Sequence, residues 1–223
     1  MDINNFYDFS SKFYGTTFMA IAINSPSKKK PNGLPNNYDY NLVAGKYDNI
    51  DFPVIFKYED GKHLRDIIDT GTAVLFLISK KFKTILEKNK LTGWKTFPVK
   101  VYDKKNQEIP NYYGLTVTGR CGPIDYSKCE TYKTKYVEHG PFVKIYKGKY
   151  IGLDKWDGSD FFLPIGNYGI IVTEKVANLL KNNKLTNIDL EKLSKVETPE
   201  STVKPRKKNR KKDIANFPMN VDK

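Results

Sequence analysis

Cysteine, histidine and arginine are scarce in this sequence, which has two, two and four of them among its 223 residues. Cys121 and Cys129 have no histidine near them in the chain, so a zinc site lacks the ligands and the spacing that it needs. A disulfide between them is possible but unneeded at this size, and we expect reduced thiols in a cytoplasmic protein. No apolar run approaches the roughly 18 residues of a membrane span. We predict no metal, no cofactor and no membrane span.

Sequence motifs for catalysis are also absent. The chain has no Gly-x-Ser-x-Gly elbow, no phosphate-binding glycine motif ending in Lys-Ser/Thr and no Cys-His signature. His63 and His139 stand alone, although a dispersed triad stays open. Asp154, Asp157 and Asp160 recur every three residues, whereas an EF-hand spaces its ligands two apart, so a turn explains them. We predict no catalytic residue and a protein that is not an enzyme.

Positive charge is in large excess, with 38 Lys and Arg against 25 Asp and Glu and a formal net charge of +13. Residues 1–70 carry −1, residues 71–130 carry +6, residues 131–196 carry +4 and residues 197–223 carry +4. A dense run in the tail is expected to be solvated and disordered. It could hold nucleic acid, an anionic membrane or an acidic protein, or have no ligand. Its basic residues are Lys204, Arg206, Lys207, Lys208, Arg210, Lys211 and Lys212.

The chain also has 15 Tyr and 13 Phe, too many aromatic residues for a disordered protein. Near the N-terminus, Thr17–Ile23 is predicted as a core strand rather than a signal peptide, because the preceding residues are acidic. Residues 24–50 are rich in Asn, Pro, Lys and Gly and are predicted as loop. Thr96–Asp103 alternates and is predicted to form a hairpin with residues 113–117. A second hairpin is predicted around Lys147-Gly148.

A strand and a capped helix occur twice, 94 residues apart. Ala73–Ile78 is predicted as a buried strand, and Ser79 as the cap of an amphipathic helix. The segment Ser79–Thr92 aligns with Thr173–Thr186 in its cap, apolar face and ending, where Asn89 and Asn183 are expected to adopt a left-handed conformation. We therefore predict an α+β fold, with a mixed or antiparallel sheet and two similar strand–helix–strand units packed as one domain. The predicted divisions are an N-terminal strand and loop region of that domain (1–70), the duplicated core (71–196) and the basic tail (197–223).

Several motifs in this order resemble a family of bacterial immunity proteins, the eleventh numbered immunity family of polymorphic toxin systems and formerly a domain of unknown function. In that family the capped helix is followed by Leu-Thr-Gly, which is Leu91-Thr92-Gly93 in the first copy here. The second copy reads Leu185-Thr186-Asn187 instead. The resemblance covers about residues 53–193, and its motifs are Leu77–Phe82, Leu91–Val99, Tyr112–Val117, Ile124-Asp125, Gly158–Leu163 and Ile171–Val176.

The resemblance implies a cytoplasmic protein that binds and neutralises a cognate toxin without catalysis of its own. A basic inhibitor attracts an acidic surface, so we expect the toxin to present one. Aromatic and acidic residues near the predicted loops are the candidate contacts, although core or turn roles are an open alternative for each. These predicted partner-binding residues are Tyr112, Tyr113, Trp156, Asp157 and Asp160.

Two other classes of function stay open at this point. A basic nucleic-acid-binding protein could bind the backbone with its lysines and its tail and stack bases on tyrosines such as Tyr146 and Tyr150. Arginine, whose guanidinium binds phosphates and bases through paired hydrogen bonds, is nearly absent. An uncharacterised enzyme would need a pocket that brings a histidine together with a carboxylate.

Overall fold

The computed structural model describes residues 2–12, 15–23, 38–48, 50–72 and 74–203. The helices in this part are α1 (Tyr38–Ala44), α2 (Lys80–Lys88), α3 (Glu174–Asn182) and α4 (Glu200–Val203). The strands are β1 (Phe6–Ser10), β2 (Met19–Ala22), β3 (Val54–Asp60), β4 (Ile67–Asp69), β5 (Phe76–Ser79), β6 (Trp94–Phe97), β7 (Val99–Tyr102), β8 (Glu108–Ile109), β9 (Tyr112–Val117), β10 (Gly119–Cys121), β11 (Glu130–Thr134), β12 (Val143–Lys147), β13 (Phe161–Pro164), β14 (Ile170–Thr173), β15 (Asp189–Lys192) and β16 (Glu197–Pro199).

The strands form three sheets. An eight-stranded sheet has the order β6-β9-β5-β4-β2-β3-β7-β8, and a five-stranded sheet has the order β15-β1-β14-β13-β10. The third sheet is β11-β12-β16 and is antiparallel. Both larger sheets mix parallel and antiparallel pairs, which confirms the predicted α+β class with two similar strand–helix–strand units.

The duplication extends beyond the helices. The order β6-β9-β5-β4-β2 in one sheet matches β15-β1-β14-β13-β10 in the other, with the same sense for every pair. The register agrees as well, because Ile67 opposite Ile78 corresponds to Phe161 opposite Val172, 94 residues later. We call the elements from β1 to β6 repeat A and those from β9 to β15 repeat B.

The two repeats exchange their first strands. β1 belongs to repeat A but lies between β14 and β15, in the sheet of repeat B. β9 belongs to repeat B but lies between β5 and β6, in the sheet of repeat A. Neither repeat has the second strand of its five-strand order without the other, so the chain folds as an intramolecular strand exchange. The duplicated elements thus begin within residues 1–70, and the three-part domain division stays a prediction.

One main core joins the two repeats. Phe9 of the exchanged strand β1 packs edge-on against Phe76 and Phe82 of repeat A and against Phe161 of repeat B. These side chains belong to a single cluster of buried residues that includes the inner faces of α2 and α3. A smaller second cluster lies on the opposite face of the five-stranded sheet.

Pro98 accounts for the first difference from the predicted hairpins. The stretch Thr96–Asp103 is broken at Pro98 into β6 and β7, which lie near opposite ends of the eight-stranded sheet. Only β6 pairs with β9, while β7 pairs with β3 and β8. Because one residue separates β6 from β7, the sheet must curl until its two ends approach each other.

Three further predictions need correction. The hairpin around Lys147-Gly148 is wrong, because β12 pairs with β11 and β16 instead. The left-handed residues after the helices are Lys90 and Lys184, while the preceding asparagines donate side-chain hydrogen bonds to the last helical turn. Helix α1 lies in a segment predicted as loop, where Leu42 and Val43 are fully buried. The cap predicted at Ser79 is confirmed, since its Oγ accepts from the N–H of Phe82 at 3.1 Å.

Candidate functional site

The connection between β10 and β13 builds a separate layer on the outer face of the five-stranded sheet. Its anchor is the second core cluster, in which Trp156 packs at 5.3 Å from Phe6 and 5.6 Å from Phe162, measured between ring centroids. The hydrogen bond from Trp156 Nε1 to the Ser159 carbonyl fixes the indole further. This layer is therefore held by aromatic packing and can support a projecting hairpin.

The hairpin consists of β11, β12 and the turn between them, residues 130–147. Its inner side is held by Ile145, which is buried, and by β16, which pairs with β12. Helix α4 packs on β12 and β16. We refer to residues 130–147 as the projecting hairpin.

The tip of the projecting hairpin exposes three large apolar side chains. Tyr136, Val137 and Phe142 are 65%, 66% and 66% exposed, the largest values for big apolar residues in the described part of the chain. Lys135 lies over the ring of Phe142 at 4.9 Å. Large apolar side chains exposed close together in the chain are typical of interaction sites.

The projecting hairpin is rich in lysine. It carries four lysines and two glutamates, a net charge of +2. Within the described residues, none of these lysines has a carboxylate within 4 Å. The four lysines are Lys133, Lys135, Lys144 and Lys147. Lys147 lies opposite Glu130 of β11 and Glu197 of β16, whereas Lys133 and Lys144 lie opposite each other. The site thus combines aromatic contact area with positive charge that is only partly offset.

The base of the projecting hairpin is polar. An open cleft of about 470 Å³ lies there, between the N-terminal turn at Asp2, Lys128 and Gly152. An ion pair joins Lys149, just after β12, to Asp8 of β1, which ties the layer to the sheet. Burial raises the pKa of the neighbouring Glu191, and the charge of Asp8 raises it further.

Neither histidine lines the cleft, and both are exposed.

Tyr112 and Tyr113, two of the predicted contacts, lie on the exchanged strand β9 and are half-buried. The hydroxyl of Tyr112 donates to the Arg65 carbonyl at 2.8 Å, and burial together with the charge of Asp66 raises its pKa to about 12. The ring of Tyr113 lies 4.4 Å beneath the ammonium of Lys83. Both rings pack on the main core, so their exposed surface is limited.

Asp160 belongs to a hydrogen-bond cluster between the repeats. Its carboxylate accepts from the Thr92 N–H and hydroxyl at 3.0 and 3.2 Å and from the Thr173 hydroxyl at 3.2 Å. Asp66 does the same 94 residues earlier, accepting from the N–H and hydroxyl of Thr186 at 2.8 and 2.9 Å. Each aspartate therefore binds the turn after the other repeat's helix, and we call these sites the aspartate–threonine clusters.

Trp156 and Asp157 lie in the layer that carries the projecting hairpin. Asp157 is exposed, and its carboxylate accepts from the N–H groups of Arg120 and Ser159 at 2.8 and 3.0 Å, in agreement with a turn. Trp156 is half-buried against Phe6. The structure thus groups Trp156 and Asp157 in one segment and places Tyr112 and Tyr113 on another strand. The basic run from Lys204 to Lys212 lies outside the described residues.

Sequence reasoning missed the tip of the projecting hairpin. A signal was present, because Tyr136, Val137 and Phe142 interrupt an otherwise polar stretch on both sides of Gly140-Pro141. The strand β11 was not predictable from the sequence, because its residues do not alternate between apolar and polar and are mostly exposed.

No helix in the described ranges is long and apolar enough to cross a lipid bilayer.

Comparison with known proteins settles the family. No curated protein matches this sequence. The sequence model of the immunity protein family Imm11 matches residues 20–195, which begin at β2 and end just after β15. The match covers both repeats except for β1, and it confirms the resemblance found from the order of the motifs. This chain belongs to the Imm11 immunity protein family.

Proposed function

We propose that this protein acts in the cytoplasm of the cell that makes it, where it binds a cognate toxin and blocks it without catalysis. Membership of an immunity family implies toxin neutralisation in general. The observation that carries the finer proposal is the tip of the projecting hairpin, where three large apolar side chains are about two-thirds exposed on a hairpin that carries four lysines. Aromatic and apolar anchors of this kind supply most of the binding energy at protein interfaces.

The charge of this surface favours an acidic partner. Lys133 and Lys144 lie opposite each other and have no carboxylate within 4 Å in the described ranges, so a toxin with Asp or Glu residues would neutralise them on binding. Such complementarity also speeds encounter. Tyr113, Trp156 and Asp157 are proposed as additional contacts, whereas the carboxylate of Asp160 already has partners within the fold.

The test is co-expression with the protein encoded by the neighbouring gene. We expect a stable complex and restored growth with the natural sequence. A triple variant, Tyr136→Ser with Val137→Ser and Phe142→Ser, should weaken binding by at least about 100-fold, because it removes the central anchors. The matched control is Ile23→Ser with Leu64→Ser, which removes other exposed apolar side chains and should bind normally.

Two outcomes would contradict the proposal. One is a complex with unchanged affinity in the triple variant, which would place the contact elsewhere. The other is salt-sensitive retention on nucleic acid by residues 1–203 together with no effect on the toxin, which would favour the nucleic-acid alternative.

A further inference from the structure

The outer edge of the projecting hairpin is an open strand edge. β11 is the outermost strand of its sheet, and no described residue pairs with it on the side away from β12. It has five residues, whereas the outer strands β6, β8, β10, β15 and β16 have two to four. Four of the five side chains are exposed, and the strand contains neither proline nor a register shift. Such edges can accept another strand.

The pairing of β12 with β16 identifies the backbone groups on this open edge. Gly148 donates its N–H to the Val196 carbonyl at 2.9 Å, so the alternation along the strand directs Tyr146 to β16 and Ile145 to β11. The lack of an N–H on Pro199, opposite Ile145, agrees with this direction. Tyr132 lies opposite Ile145 and directs its own N–H and C=O to β12. Because the direction alternates along a strand, the N–H and C=O groups of Thr131 and Lys133 face the open edge.

The side chains at this edge indicate which strand would fit. Lys133 lies directly opposite Lys144 of β12. Two like charges in this arrangement destabilise a sheet, and neither ammonium has a carboxylate within 4 Å in the described part of the chain. A carboxylate on an incoming strand, next to Lys133, would relieve that repulsion. A second copy of this basic chain would instead bring more lysines to the same edge.

We propose that an extended segment of the toxin, with an acidic residue opposite Lys133, pairs with β11 as a fourth strand of this sheet. The backbone of Thr131 and Lys133 supplies main-chain hydrogen bonds, as in other cases of strand addition. The apolar tip of the projecting hairpin anchors the same partner beside the new strand. This inference rests on the proposed function and specifies how the toxin is held.

Amide hydrogen exchange tests it directly on the wild-type complex with the neighbouring gene's protein. We expect exchange at the Thr131 and Lys133 amides to slow by at least about tenfold on binding, because each N–H gains a partner. The amide of Tyr132, which already faces β12, serves as the internal control and should change less. Unchanged exchange at Thr131 and Lys133 in a formed complex would overturn the inference.

A pair of variants provides a second measurement. Lys133→Pro removes an N–H from the open edge without removing a bond to β12, and it should weaken toxin binding by about tenfold or more. Lys133→Ala keeps the N–H and should weaken binding only a few-fold, with less effect at high salt. Equal losses in both variants would contradict strand addition.

The outcomes separate the two proposals. If the toxin does not bind wild type, or if the tip variants bind normally, the proposed function fails. If the toxin binds through the tip while the edge amides are unaffected, only strand addition fails. Slower exchange at these amides on raising the concentration of the protein alone would identify a second copy as the occupant and would also overturn the inference.

Discussion

Repeats A and B have the same strand order and the same helix, but they differ in what covers them. The sheet of repeat A is extended by β3, β7 and β8. The sheet of repeat B stops at β10 and is covered on its outer face by the layer that carries the projecting hairpin. The shared part is the part that holds the two repeats together, and the part that differs supplies the candidate binding surface. The comparison thus separates what the fold requires from the surface that is proposed to bind the toxin.

The aspartate–threonine clusters illustrate the shared part. Asp66 and Asp160 each accept hydrogen bonds from a threonine of the other repeat, and each also accepts from the residue that precedes the helix of its own repeat. Charged acceptors of this kind give stronger hydrogen bonds than neutral ones. Together with the exchanged strands, they make the folding of each repeat depend on the other.

The largest expected effect tests this dependence. Phe9 and Leu115 occupy equivalent positions on the exchanged strands, opposite Ile170 in one sheet and next to Gly114 in the other. Phe9→Ala should lower the free energy of unfolding by about 4 kcal/mol, and Leu115→Ala by about 3 kcal/mol, because each empties part of the shared core. Urea denaturation should give one transition in both variants. Two transitions would show that the repeats unfold independently.

The next effect compares one turn position in the two repeats. Gly93 has φ +79°, and a Cβ there would overlap the carbonyl oxygen of Phe161. The equivalent residue of repeat B, Asn187, instead donates a side-chain hydrogen bond to the Ile67 carbonyl at 2.9 Å. We expect Gly93→Asn to cost about 3 kcal/mol and Asn187→Gly about 1 kcal/mol. Thermal unfolding of the two variants measures both losses of stability. Similar losses in Gly93→Asn and Asn187→Gly would contradict the expected difference between the two repeats.

The smallest effect concerns Tyr112, whose equivalent in repeat B is Phe6. Tyr112→Phe removes the hydrogen bond to Arg65 and should cost about 1 kcal/mol at pH 7. Burial raises the pKa of Tyr112 to about 12 in the folded protein. Folding therefore favours the neutral form of Tyr112. The stability that this preference contributes is complete below the unfolded pKa of about 10 and is lost as the pH rises through 12.

The variant should therefore lose less stability than wild type in this alkaline range. The difference is expected to be about 1 kcal/mol after allowance for solvent screening at a half-buried group. Urea titrations at pH 8, 10 and 11.5 would measure it. A parallel loss of stability in both proteins would assign the alkaline sensitivity to other groups.

Local features were predictable from the sequence. Ser79 caps its helix as expected, and the apolar faces of α2 and α3 pack as their spacing predicts, with Phe82 and Val176 fully buried. These features depend on residues within a few positions of one another. The hairpin predicted across Pro98 was partly wrong. The residues on both sides of Pro98 form strands, but β6 pairs with β9 whereas β7 pairs with β3, which is far from β9 in the chain.

The candidate site was harder to predict than the fold. Aromatic and acidic residues near loops were reasonable candidates, but Asp160 is engaged between the repeats and Tyr112 packs against the core. Phe142 and Tyr136 interrupt a polar stretch, but that pattern does not by itself distinguish an exposed aromatic residue from a buried one. Their exposure depends on whether another element covers them, which is a property of the assembled chain.

The sequence by itself determined the family, the duplicated strand and helix, the cap at Ser79 and the excess of lysine, whereas Thr173 makes no side-chain cap hydrogen bond. Only the tertiary structure decided that β1 and β9 change places, because either strand satisfies the same local pattern in either sheet and the choice depends on contacts distant in sequence. It also decided where one part of the charge lies. Lys135 is placed over the exposed ring of Phe142, and that juxtaposition arises only when residues 130–147 fold back on themselves.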